Sequence, residues 1–111
     1  MSQEISFQVQ GSEVEPYSVT FRREGSNFTA RCTCMAGAMG QYCKHRFNLL
    51  NGGTNGLVSG NADRVPELRG MLMGSDVEVV LAQLFDAEVA FEEAKKEVAK
   101  RKKAVARAMQ D

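Results

Sequence analysis

Tryptophan is absent from this 111-residue sequence, and aromatic residues make up only 7% of it. A chain this short with so little bulky material commonly needs a metal, a disulfide or a second chain to supplement its core. No charge of one sign prevails: fourteen basic and fourteen acidic side chains cancel, which excludes a uniformly basic nucleic-acid binder. No apolar run approaches the roughly 20 residues that cross a bilayer, so neither a transmembrane helix nor a membrane partner is expected. The opening Met-Ser-Gln-Glu-Ile has no basic start and no apolar core, and no secretory leader is expected. Cysteine is scarce and odd in number, three against a single histidine. An odd count without a leader argues against a disulfide framework. It favours a reducing compartment, cytoplasmic or, in a eukaryote, nuclear.

What is present is arranged in two styles. In the first part, polar and apolar residues alternate. Ile5, Phe7 and Val9 fall on one face of a strand, Tyr17, Val19 and Phe21 on another, and Phe28, Ala30, Cys32 and Cys34 continue in period two. Glu24-Gly-Ser-Asn27 is a turn cluster, so 17–23 is predicted to pair with 28–34 as a hairpin, with 5–9 as a third strand. Residues 35–41 read as a small, flexible spacer. From about Gln41 a short helix is predicted, stopped by Asn51-Gly52-Gly53. Residues 51–61 hold four of the ten glycines and read as a mobile loop. They lack the Lys and following Ser or Thr of a phosphate-gripping loop. Asp63 is a candidate cap for a short helix with Pro66 in its first turn, running to about Met73.

The second style starts at Ser75-Asp-Val-Glu78, which has the form of a capping box. It opens a segment free of Gly and Pro that runs to the last residue. Val80, Leu84, Ala87, Phe91, Ala94, Val98, Arg101, Val105 and Ala108 recur in steps of four and three, and eight of these nine are apolar. This is a heptad seam over four heptads, on a helix that reaches roughly 50 Å at about 1.5 Å per residue. Residues 76–93 hold six acids and no base, whereas 95–107 hold seven bases and only Glu97. Parallel copies would set like charge against like, and antiparallel copies acidic against basic halves. A homodimer through Val80, Leu84, Ala87, Phe91, Ala94, Val98 and Val105 is therefore expected to be antiparallel. A protein partner docking on the same face, or the helix folding back on its own domain, are the alternatives.

Chemistry concentrates in Cys32-Thr-Cys34, eight residues, then Cys43-Lys-His45. Three thiolates and an imidazole complete a tetrahedral set for Zn²⁺ and leave no open position for water. Soft sulfur donors favour zinc over magnesium or calcium. A full ligand set implies one structural zinc ion held by Cys32, Cys34, Cys43 and His45, with no catalytic residues and no enzyme activity. A Cys43–His45 nucleophile–base pair is the competing reading, but no third orienting group is evident. A redox switch, with Cys32 and Cys34 oxidising as zinc leaves, is another.

The stretch Phe28-Thr-Ala-Arg-Cys-Thr-Cys, a spacer, then Cys-Lys-His-Arg-Phe-Asn-Leu-Leu50 resembles the SWIM-type zinc finger, with its C-x-C-x(n)-C-x-H pattern. The resemblance covers residues 17–52, about a third of the chain. It implies a β-hairpin supplying the first two ligands, the start of a helix supplying the other two, and association with DNA or with other proteins. Family members occur in SWI/SNF-type ATPases, transposases and ubiquitin-ligase-like proteins, and here no such attachment of the finger is expected. Around it, Arg22, Arg23, Arg31, Lys44 and Arg46 are opposed only by Glu24. They are the candidate phosphate contacts, with an ordinary solvated face as the alternative. Met35 and Met39 suit an adaptable surface or simple gap-filling.

The expected fold is α+β: a small zinc-stapled antiparallel sheet with a short helix, then a long C-terminal helix. The expected organisation is a zinc-binding domain over 1–62, a short connecting helix over 63–74 and the long amphipathic helix over 75–111. The expected function is that of a binding module, an adaptor or regulator for nucleic acid or a nucleic-acid-handling protein. The alternative is a pure protein–protein module, a small inhibitor or accessory subunit whose zinc is structural and which touches no nucleic acid.

Overall fold

Alternation in the first 32 residues becomes a three-stranded antiparallel meander, β1 (Ser2–Val9), β2 (Tyr17–Glu24) and β3 (Asn27–Cys32), in the order β1-β2-β3. The computed structural model describes residues 2–110. Phe7 lies opposite Val19, Ile5 opposite Phe21, Phe21 opposite Ala30 and Val19 opposite Cys32. This register puts every apolar residue of the alternation on one face, and Ile5, Phe7, Val9, Val19, Phe21, Phe28 and Cys32 are buried there. The β2–β3 connection is the two-residue turn Gly25-Ser26. Gly25 has φ +60° while among the described residues no type but glycine has positive φ, the pattern of a type II′ hairpin turn.

Four short helical segments cover or flank the apolar face: α1 (Met35–Ala38), α2 (Lys44–Leu50), a 3-10 turn (Ala62–Arg64) and α3 (Glu67–Leu72). Leu49, Val65, Leu68 and Met71 complete the core with the strand residues. The arrangement is mixed α+β. Three expectations change. The spacer after Cys34 is not irregular, because the Cys34 sulfur caps Met35–Ala38 by accepting from the Gly37 N–H. Asp63 caps nothing: it lies inside the 3-10 turn, and α3 starts after Pro66, whose fixed φ and missing N–H suit a helix start.

The glycine-rich stretch is not a loose loop. It runs along the outer edge of β1, where Gly56 C=O accepts from Gln10 N (2.7 Å), Val58 N donates to Gln8 C=O (2.9 Å) and Asn61 Nδ2 donates to Ser6 C=O (2.9 Å). Gly56 has φ +79°, and a Cβ there would sit 2.9 Å from the Gln10 carbonyl oxygen, so this approach requires glycine.

The last helix, α4 (Asp76–Gln110), spans 35 residues. Its start is capped as the sequence suggests, with one difference. Ser75 Oγ accepts from Glu78 N (3.3 Å), while the Glu78 carboxylate reaches back to Gly74 N (3.0 Å) and not to Ser75 N, which already donates to Leu72 C=O. Asp76 joins this turn to the hairpin: its N–H donates to Ser26 C=O and its carboxylate accepts from Phe28 N at 3.0 Å. The chain divides into two compact units, Met1–Glu78 and Val79–Asp111. No helix among the described residues is long and apolar enough to cross a membrane.

Candidate metal centre

The four ligand-type residues come from three consecutive structural features. Cys32 ends β3, Cys34 caps α1, Cys43 is the residue before α2, and His45 lies in its first turn. Their Sγ and ring-nitrogen atoms all lie within 4.8 Å of one another. Cys34 Sγ is 3.4 Å from Cys43 Sγ, and His45 Nδ1 is 3.7 Å from both Cys32 Sγ and Cys43 Sγ. A tetrahedron with Zn–S near 2.3 Å has edges of about 3.8 Å, so the donors are placed to bind a metal ion and their spacing is consistent with zinc. The ring presents Nδ1 to the sulfurs. The three cysteines are buried and unbridged, and His45 is half-buried.

The surroundings fix these donors. The Tyr17 ring lies 5.0 Å from the His45 ring, centroid to centroid. Gly11 lets the β1–β2 connection close over it, since a Cβ at Gly11 would fall 2.4 Å from the Tyr17 ring. Arg46 turns inward and donates to Ala30 C=O (3.0 Å) and to Gln41 C=O, tying α2 to β3 and to the strand of chain entering α2. Gly37 packs directly on Cys32. Periodicity gives no sign of Tyr17, Gly11, Gly37 or Arg46 as supporting residues. The glycines in a Cys-bracketed spacer were the available signal for Gly37.

Burial pushes the Cys32 thiol up, to about 12. At Cys43 burial acts in the same direction, but the Arg46 N–H and hydrogen bonds from Cys34, His45 and Cys32 outweigh it and bring the thiol down to about 6. Cys43 is therefore the more readily ionised of the two thiols, and Cys32 releases its proton to solvent as a metal binds. Raising the pH favours the thiolate, so metal binding should tighten as pH rises and be lost on acidification. The apparent affinity is expected to climb about tenfold per pH unit for each proton displaced between pH 6 and 8. Competition with a chromogenic chelator at three pH values measures this, and a flat profile would contradict it.

The five candidate phosphate contacts separate into three groups. Arg23 is committed internally: its guanidinium donates to Met71 C=O (2.6 Å) and Met73 C=O (2.7 Å). Arg46 is committed as described above. Arg22 pairs with Glu24 at 3.0 Å on the exposed sheet face. Arg31 and Lys44 are exposed, with no side-chain hydrogen bond or ion pair among the described residues. Lys44 borders a cleft of about 540 Å³ beside the metal site, whose walls include Gln10, Tyr42, His45, Asn48 and Asn55 and no carboxylate. Tyr42 is 67% exposed and stacks on Phe47 at 4.4 Å. Of the seam residues on α4, Leu84 is half-buried and Val80, Ala87, Phe91, Ala94, Val98 and Val105 are exposed.

Comparison with protein-family models, with curated proteins and with solved structures finds no match to this chain. The geometry alone therefore describes it as a zinc-finger-like module.

Proposed function

We propose that the chain is a non-enzymatic zinc-finger module of the SWIM type that binds nucleic acid or a nucleic-acid-handling protein, with α4 as its association element. The observation that carries this reading is the closed set of donors, Cys32, Cys34, Cys43 and His45, within 4.8 Å of one another. Four protein ligands leave a zinc ion no site for substrate or water, so the metal serves structure. The C-x-C-x8-C-x-H spacing, with Cys32 at the hairpin end, Cys34 two residues beyond it as the cap of α1, and Cys43 and His45 at a helix start, supports the SWIM assignment.

On the nucleic-acid side, the groups offered are Arg31, Lys44 and the partly engaged Arg22, with the carboxylate-free cleft beside Lys44. Phosphate contacts of this kind position without reading sequence. The test is mobility of labelled DNA and RNA with the zinc-loaded protein across a salt series. Affinity should fall steeply with salt, and Arg31→Ala with Lys44→Ala should reduce the slope of log affinity against log salt by about 2 and weaken all sequences alike. Unchanged mobility at low salt favours the second reading, a protein–protein module with no nucleic-acid contact. That reading draws on the internal engagement of Arg23 and Arg46 and on the exposed seam of α4.

A further inference from the structure

The seam of α4 is apolar and left mostly uncovered. Phe91, Val98 and Val105 are 62%, 52% and 54% exposed. The Phe91 ring has only the Lys95 ammonium over it, 5.4 Å from its centroid. Arg101, the one charged seam residue, is drawn aside by Glu97 at 2.8 Å. A heptad stripe of this length needs a facing helix.

We propose that a second copy of α4 covers this face, antiparallel and in one defined register, in which Val80 meets Val105, Leu84 meets Arg101, Ala87 meets Val98 and Phe91 meets Ala94 of the other copy. The proposal rests on the reading of α4 as an association element and names its occupant. Three observations select it. In this register every seam residue from Val80 to Val105 faces another seam residue, and the largest side chain, Phe91, lies against one of the smallest, Ala94, as interdigitating layers require. A parallel in-register pair would instead place Arg101 against Arg101 and the acid-rich 76–93 against itself.

The flanking charges discriminate among antiparallel alternatives. Beside the seam, Glu88 falls next to Lys95 of the other copy, twice by symmetry. Sliding by one heptad in one direction brings Lys95 against Lys95, and in the other direction Glu88 against Glu88. Lys95, which in one chain lies over Phe91 and 3.7 Å from Glu92, then turns to the Glu88 carboxylate across the interface, and the long stem of Arg101 lies along Leu84 with its head in water.

The test uses the full zinc-loaded chain. Light scattering should give about 24 kDa, twice the 12.2 kDa of one chain, and Phe91→Asp should raise the dissociation constant at least about 100-fold with metal content unchanged. Because that variant can also fray the helix, a charge-swap series is decisive. Glu88→Lys and Lys95→Glu should each weaken the dimer about fivefold, and the double variant should restore it. Residues 88 and 95 lie about 10 Å apart along one helix. A zero-length carbodiimide cross-link between them, in a mixture of ¹⁴N- and ¹⁵N-labelled chains, must therefore join two copies. A monomer mass independent of concentration overturns self-pairing. Mixed-isotope links from Glu97 to Lys102 without any from Glu88 to Lys95 overturn the direction. Neither result touches the metal reading, which metal content reports separately.

Discussion

Cys43→Ser, or removal of the metal by a strong chelator under reducing conditions, is expected to unfold the Met1–Glu78 unit. Cys43 is 2% exposed and its sulfur is the hub of the donor set, 3.4 Å from Cys34 Sγ and 3.7 Å from His45 Nδ1. The ion would join three pieces of chain: the end of β3, the cap of α1 and the start of α2. Between them they hold only short local structure, since α1 has four residues and α2 seven, below the length at which helices stand alone. The apolar core is about ten side chains besides the cysteines. Structural zinc supplies on the order of 10 kcal/mol or more in small fingers, as much as the whole stability of many domains. Amide exchange in β2 and β3 should therefore lose its protection when the metal leaves, while zinc content falls to background. Native protection in the chelated protein would remove the structural role of the metal.

Gly37→Ala is the second large effect, and a less obvious one, because Gly37 donates no ligand. A methyl group there would sit 2.7 Å from the Cys32 carbonyl oxygen and 2.8 Å from Cys32 Cβ. Both are parts of a ligand residue's own frame, so neither can swing aside. The clash must push α1 from the end of β3 and draw Cys34 with it, because the Gly37 N–H holds the Cys34 sulfur at 3.3 Å. Residues that orient metal ligands typically carry 10–100-fold in affinity, and a loss of about that size is expected in chelator competition. Gly40→Ala is the control for composition: its Cβ would meet nothing within 4 Å, although its φ of +73° adds some backbone strain. Equal losses for the two variants would show that backbone strain in the spacer, and not the packing of Gly37 on Cys32, governs the site.

The strands and the clustering of Cys32, Cys34, Cys43 and His45 were legible because each is written in a short local code. Period-two alternation at Ile5-Phe7-Val9 and Val19-Phe21 needs only one buried face, and C-x-C followed by C-x-H needs only donor chemistry. The start of α4 was legible because Ser75 and Glu78 stand three apart before a run without breakers. The features that escaped are set by distant parts of the chain. The stretch after Asn51 looks loose by composition, yet it is held by β1 more than 40 residues earlier through Val9 and Leu57. Helix α1 follows from a sulfur cap, not from any periodicity. Arg23 and Arg46 read as solvent-facing charges, but their guanidinium groups reach inward to the Met71 and Ala30 carbonyls.

Those inward ties bear on how the sheet can behave in a crowded solution. Along β1 the outer carbonyls and amide of Ser6, Gln8 and Gln10 are taken by residues 56–61. Along β3 the Phe28 amide is taken by Asp76 and the Ala30 carbonyl by Arg46. Part of each flank is thus covered, which shortens the row of unpaired groups along which a foreign strand adds on. Recruitment of peptides by strand addition, and the fibril growth that exploits the same vacancy, are disfavoured along these covered stretches.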